Sequence, residues 1–373
     1  MSFKKSSAFV GFACALVAGA AHAQQYTVVN LGPPVGLPGN GQGIGEGYGI
    51  NASGQVTGAE YPPEPDTYFG TLHAFVTNAT TNAMTDLGTL GGPSSGATST
   101  GVGVNSSGQV TGYSSYGYAE GAYAFLTDAT TNTMISLGTL GGSQSWGYSV
   151  NDSGQVAGVS YISGGQAEHA FLYSNGVMQD LGTLGGTDSY GYGINASGQV
   201  TGGATTAAGA LHVFVTDPTT FAMTDLGTLT GYTNSVATGI NAGGQVTGYA
   251  YSGSTQYRAF VSDAATNAMT DLGTLGGASA EGFGINTSGQ VVGTSLIPNG
   301  LWHGFVYSNG QILDLNSLLS ASDAATYVIT SAAGINDNGQ IVANAYKTSV
   351  VTPGEVVLLL TPAAADAPAK VTR

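Results

Sequence analysis

The sequence has one cysteine in 373 residues, and only six lysines and arginines stand against 21 acidic residues. Cys14 lies inside the apolar N-terminal run from Ala8 to Ala20. Disulfides, cysteine catalysis and cysteine-ligated zinc are therefore excluded for everything after that run. A chain so poor in cations cannot neutralise a phosphate backbone, which removes nucleic acid and anionic membranes as expected partners. Apolar runs long enough to cross a bilayer are also lacking beyond the N-terminus.

The N-terminus carries Lys4 and Lys5, the apolar run, and then Ala21-His22-Ala23. This is the pattern of a secretory signal, with cleavage expected after Ala23 and an uncleaved anchor as the alternative. The expected organisation is a signal over 1–23, one domain over 24–361, and a short flexible tail over 362–373. Loss of the two lysines leaves four basic residues and a net charge near −17. The mature chain is expected to be secreted, either periplasmic or extracellular, without a membrane span, and monomeric.

A charged fraction of 7% and 61 glycines would suggest disorder if the glycines were scattered, but they are periodic. An Asn-x-x-Gly-Gln sextet begins at Asn51, Asn105, Asn151, Asn195, Asn241, Asn286 and Asn336. Around each lies one unit, clearest from Tyr190 to Gly227. Gly-Tyr-Gly-Ile-Asn (191–195) reads as a short strand, and the Ala-Ser-Gly that follows turns the chain. Gln-Val-Thr-Gly (199–202), His-Val-Phe-Val-Thr (212–216) and Ala-Met-Thr-Asp-Leu-Gly (222–227) supply three more strands, and helix is not expected anywhere in the mature chain. In the sextet the asparagine can bond its own backbone two residues on, and the glycine can take the left-handed conformation that closes the turn. A hairpin spelled seven times is expected to be frame rather than site.

One unit cannot stand alone. Its large apolar anchors (Ile194, Val200, Phe214 and Leu226) bury too little to offset the ordering of about 45 residues, so neighbours must pack on both faces. The ends decide between ring and stack. Tyr26 to Gly32 matches a fourth strand ahead of the first unit, while the last unit stops after its third strand, Val356 to Leu360. Together they complete one blade. The expected fold is all-β: a seven-bladed β-propeller of four-stranded antiparallel blades, closed by the N-terminal strand. An open β-solenoid is the alternative. The small-residue strand is expected innermost, the Met-x-Asp-Leu-Gly strand outermost, and the Thr-Leu-Gly-Gly segments are expected to lead from rim to centre on one face.

His73-Ala-Phe and His169-Ala-Phe, the variants at Tyr123, His212, Arg258 and His303, and the strings DLGTLGG and GYGIN resemble the HAF-repeat extracellular proteins of bacteria. The resemblance covers essentially the whole mature chain. It implies export and a repeat fold, and it carries no assigned functional residues.

Candidates for chemistry are few. His73, His169, His212 and His303 occupy equivalent positions on successive units, too far apart to hold a metal together. They are expected to pack between blades, and no metal or cofactor is expected. The acids before Leu-Gly (Asp86, Asp180, Asp225 and Asp271), with Asp314 before Leu-Asn at the same place, read as strand-end acceptors. No base remains to activate a serine, and catalytic residues are not expected. Function is expected where copies differ: Tyr61, Asp66 and Tyr68 in the first unit, Tyr116 and Tyr118 in the second, and Trp146 and Tyr190 in two rim-to-centre connections. Their flat faces among neutral polar groups suit a polysaccharide or a surface protein. Tyrosine is also ordinary propeller filler, and both readings stay open here. The resulting expectation is an exported binding scaffold. A secreted hydrolase or lyase using non-repeating Asp and Glu, or a purely structural surface repeat, is the alternative.

Overall fold

A computed structural model of the protein describes residues 24–32, 45–61, 71–92, 96–117, 121–165, 167–253, 256–348 and 355–363. The expected signal (1–23) and residues 364–373 of the expected tail lie outside the described residues. The chain forms seven four-stranded antiparallel sheets in a ring, a seven-bladed β-propeller. The inner strands are Glu46–Ile50, Ser99–Val104, Gly141–Val150, Gly185–Ile194, Asn234–Ile240, Ala280–Ile285 and Tyr327–Ile335, for blades 1 to 7 in chain order. Blade 7 draws its outermost strand from the other end of the chain: Tyr26–Asn30 pairs antiparallel with Glu355–Pro362, Val28 opposite Leu360. The ring closes as the complementary ends predict.

Each blade is built on one aromatic. Phe75, Phe125, Phe171, Phe214, Phe260 and Phe305, the third letter of the HAF triplet and its variants, are all fully buried. Each faces a glycine on the second strand, as Phe214 faces Gly202. A Cβ on Gly202 would run into the Tyr190 carbonyl of the inner strand, so the Gly of Gln-Val-Thr-Gly lets that strand come close. In blade 7 the pair is Leu358 against Ala343.

The repeated turn does more than close a hairpin. Asn51 Oδ1 accepts the backbone N–H of Ser53 (3.1 Å) and of Gln55 (2.9 Å), and Gly54 has φ +85°, as the turn chemistry requires. The Asn51 amide also donates 2.8 Å to the carbonyl of Asn105, in the next blade. The same bond runs from Asn105 to Asn151, Asn151 to Asn195, Asn195 to Asn241, Asn241 to Asn286 and Asn286 to Asn336, and then from Asn336 back to Asn51. Seven asparagines thus stitch the ring head to tail in buried positions, where each bond counts for more than in water.

Two expectations are corrected. Helix does occur: a 3-10 turn at Leu315–Leu318 and an α-helix at Ala321–Thr326 join blade 6 to blade 7. This connection lacks Thr-Leu-Gly-Gly. Leu315, Leu318 and Leu319 plug the core instead, and Asp314 and Ser320 cap the two turns. The histidines, for their part, pair within their own blades. Nδ1 of His73, His169, His212 and His303 lies 2.7–3.0 Å from a carboxylate oxygen of Asp86, Asp180, Asp225 and Asp314, on the adjacent outer strand. Arg258 and Asp271 form the corresponding pair at 3.7 Å. The aspartates are strand-end acceptors as expected; Asp86 Oδ1 also takes the N–H of Gly88 at 2.7 Å.

Candidate functional site

All seven inner strands carry the same irregularity. The pairing register slips by one residue between Gly47 and Gly49, and at the equivalent place in every other blade. The residue left without a cross-strand partner is the x of Gly-x-Gly-Ile-Asn. Such a bulge re-aims one side chain and bends the strand. In blade order the bulged residues are Tyr48, Val102, Tyr148, Tyr192, Thr238, Phe283 and Ala333, and all of them line one axial cavity of about 710 Å3. Two residues further on, Ile or Val in every blade forms an aliphatic collar. Ile50, Ile194, Ile240 and Ile285 of this collar also border a smaller cavity of about 270 Å3 on the side of the Asn turns. The larger cavity is therefore a funnel with an apolar floor.

The funnel wall is not seven-fold. Tyr148 and Tyr192 on blades 3 and 4 lie with ring centroids 5.0 Å apart, inclined at 52°, and Tyr190 stacks on Tyr192 at 6.2 Å and 12°. Burial, then the neighbouring Tyr113 and Glu168, push the Tyr148 phenol up to about 12. Burial and the surrounding tyrosines raise Tyr192 as well. Across the ring, where blades 7 and 1 meet, the wall is polar and holds Glu46, Ser331, Asn344 and Glu355. Tyr48 donates to Glu46 and Tyr346 to Glu355 at 2.8 Å. Burial first, then the Glu46 bond and the charges of Glu46 and Glu355, raise the Tyr48 phenol far above its ordinary value.

The connections from outer to inner strand and from second to third strand open on the same end of the propeller as this funnel, because the Asn turns and the third-to-fourth turns occupy the other end. Of the residues expected from sequence, Tyr190 reaches the funnel wall through Tyr192. Burial and then the charges of Glu168 and Asp188 push its phenol up to about 12. Trp146 packs edge-on against Tyr161 at 5.9 Å. Neither Trp146 nor Tyr190 lies in a rim-to-centre connection as expected, because the inner strands of blades 3 and 4 extend back over them and pair Trp146 with Val159 and Tyr190 with Gly203. Tyr116 is exposed and meets Tyr123 at 5.4 Å, while Tyr61 is half-buried at the end of its strand; neither lines the cavity. Asp66, Tyr68 and Tyr118 lie outside the described residues. The wall residues Tyr48, Tyr148, Tyr192 and Phe283 are missing from the expected set because they sit inside the motif read as frame. The available signal was that x varies between copies while its neighbours hardly do. Among the described residues no three of His, Cys, Asp or Glu come together as a metal site. Nor, among them, is any helix long and apolar enough to cross a membrane.

Fold and site together define a single-ring β-propeller with an aromatic axial funnel. A family described as proteins of unknown function (DUF3466) matches residues 215–371, less than half of the chain. No curated protein sequence matches it. Among solved structures, a prolyl endopeptidase superposes with a TM-score of 0.56 at 11% identity, over 86% of this chain and 50% of its own. TolB from Acinetobacter baumannii superposes at 0.46 and 10% identity, over 83% of this chain and 64% of TolB. YCF48 bound to D1 peptide superposes at 0.49 and 11%, over 93% and 98%. At these identities the likeness is one of fold. The chain spans only half of the endopeptidase and under two thirds of TolB.

Proposed function

We propose that the protein is an exported binding scaffold of the HAF-repeat type, and that its ligand, a polysaccharide or a protein segment, seats in the axial funnel. The observation that carries this reading is the bulge: the one position per blade freed from strand pairing is aromatic in four blades and small or aliphatic in three. A packing role alone gives no reason for seven equivalent positions to diverge this way while Ile or Val and Asn two and three residues later stay fixed. Aromatic faces in a concave site exclude water over a large area and lose little side-chain entropy on binding. The N-terminal pattern of Lys4, Lys5 and Ala21-His22-Ala23 supports export.

The test is a pair of glycan and peptide arrays probed with the mature chain and with Tyr148→Leu/Tyr192→Leu. Ligands held by the wild type should lose signal by about tenfold or more with the double variant, on the scale of interface aromatics. Blank arrays, or equal signal from both proteins, would overturn the proposal.

A further inference from the structure

We infer that the funnel selects a positively charged group, and that its ligand is a protein segment presenting arginine or lysine; this rests on the funnel being the binding site. The argument starts from which polar groups in the wall are still free. Asn344 is fully engaged with the backbone of Gly47, accepting its N–H at 2.9 Å and donating to its carbonyl at 3.2 Å. Thr330 donates to the Asn344 carbonyl, Thr294 to the Thr330 carbonyl and Thr238 to the Gly282 carbonyl, at 3.1, 2.8 and 2.8 Å. These neutral groups close seams between and within blades. The carboxylates of Glu46 and Glu355 are different, because among the described residues each accepts one tyrosine hydroxyl, and an ionised carboxylate has room for about four hydrogen bonds. Ser331 accepts from the Asn344 amide at 3.4 Å and keeps one hydroxyl donor, against several acceptor sites on the two carboxylates, so acceptors outnumber donors on the polar side of the funnel.

A neutral sugar presents donors and acceptors in equal measure and would leave its acceptors unmatched against that wall. A guanidinium or an ammonium presents donors only. The opposite wall favours the same choice, since the electron-rich faces of Tyr148 and Tyr192 attract cations. No Lys, Arg or His is among the described residues lining the cavity, and the chain as a whole is strongly acidic, so the field in the funnel is unopposed. Charge from further out reaches the wall too: Glu168 raises the phenols of Tyr148 and Tyr192, after burial and the neighbouring tyrosines. Four residue steps along the inner strand lead from Glu46 to the Ile50 collar, a length of at most roughly 13 Å. That length suits a long side chain inserted from a peptide crossing the mouth, with its stem against the aliphatic floor.

The experiment measures fluorescence anisotropy of a labelled oligo-arginine peptide on the mature chain (residues 24–373) at physiological salt. An oligo-glutamate peptide and maltopentaose serve as comparisons, the latter by calorimetry. Glu46→Gln/Glu355→Gln should weaken the arginine peptide by about tenfold or more. Asp217→Asn/Asp263→Asn removes the same charge from turns at the opposite end and keeps their acceptor oxygens, so it should change nothing. Far-UV circular dichroism and the melting temperature check that each variant is folded, and Glu355→Gln alone serves if the double variant is not. No binding of the arginine peptide, equal loss from both charge pairs, or maltopentaose bound as tightly as the peptide would overturn the inference. If array ligands are lost with Tyr148→Leu/Tyr192→Leu but untouched by Glu46→Gln/Glu355→Gln, the charge inference fails and the funnel survives. If the tyrosine variant has no effect, the funnel itself fails.

Discussion

Replacing Glu60 with alanine should make the protein more stable in alkaline solution and nearly unchanged in acid. Glu60 ends the second strand of blade 1, opposite His73, with 1% of its surface exposed. Neither of its carboxyl oxygens has a hydrogen-bond partner among the described residues. The equivalent position holds Ser114, Ser160 or Ser295 in blades 2, 3 and 6, where the hydroxyl accepts a backbone N–H from the connection entering the blade. In blades 4, 5 and 7 it holds Ala204, Ala250 or Ala345, so the fold accepts alanine there. Burial, and after it the charge of Asp86, push the Glu60 carboxyl from 4.5 up to about 8. Because the folded-state value lies above the unfolded one, the native state holds this proton more tightly. That contribution is complete below about pH 4.5 and is lost as pH rises to about 8, at most about 5 kcal/mol in all. Urea unfolding of wild type and Glu60→Ala, read by tryptophan fluorescence at about pH 5 and about pH 8.5, isolates it, since every other titrating group is common to both proteins. The variant's advantage should grow by about 2 to 5 kcal/mol toward the alkaline end. Parallel profiles would refute the reasoning, for then Glu60 ionises as freely in the native protein as in the unfolded chain.

Asn195→Ala removes four hydrogen bonds, two accepted from Ser197 and Gln199 and two donated to Gln199 and the Asn241 carbonyl, and should cost about 3 to 4 kcal/mol in urea unfolding. Asn195→Asp keeps the accepted pair and loses only the donated bonds, so it should cost less than alanine; an equal or greater loss would mean that the donated bonds, the one across the blades among them, carry the whole effect. Gly202→Ala sets a Cβ against the Tyr190 carbonyl and should cost about 3 kcal/mol or more. Gly243→Ser, which installs the residue that most other turns carry, should be neutral or stabilising by the same assay.

How much of this was legible in the sequence depends on the range of the interaction concerned. The turn was legible because its signals are local: Asn51 bonds Ser53 and Gln55, and Gly54 supplies the positive φ. Ring closure was legible because two incomplete units add to one. The asparagine ring was not, since nothing in Asn-x-Ser-Gly-Gln says that the amide also reaches a carbonyl 44 to 54 residues further along the chain. The helical connection at 315–326 was hidden by the surrounding periodicity, although Leu315, Leu318 and Leu319 announce a different packing unit. Trp146 and Tyr190 stand out in the sequence because they interrupt runs of small residues, although they belong to the inner strands Gly141–Val150 and Gly185–Ile194 and not to connections. Tyr148 and Tyr192 were passed over, although they lie two residues beyond those same residues, because they sit in a strand that repeats.

That last miss points to how one motif can be frame and site together. In a regular antiparallel strand every residue has a partner opposite, and a change at one position is felt across the pair. A bulge breaks that coupling at one residue and leaves its neighbours bound. In each blade Gly-x-Gly-Ile-Asn has Ile or Val paired with the second strand, as Ile194 is with Val200, and commits Asn to the next blade. Only x is released toward the axis. The ring therefore carries seven side chains that line the funnel and have no partner opposite them in the sheet that holds them. Valine, threonine and alanine stand at this place in blades 2, 5 and 7, whereas the asparagine that begins each turn stands in all seven. The repeat fixes the geometry of the funnel, and the one unpaired residue per blade makes its wall different from blade to blade.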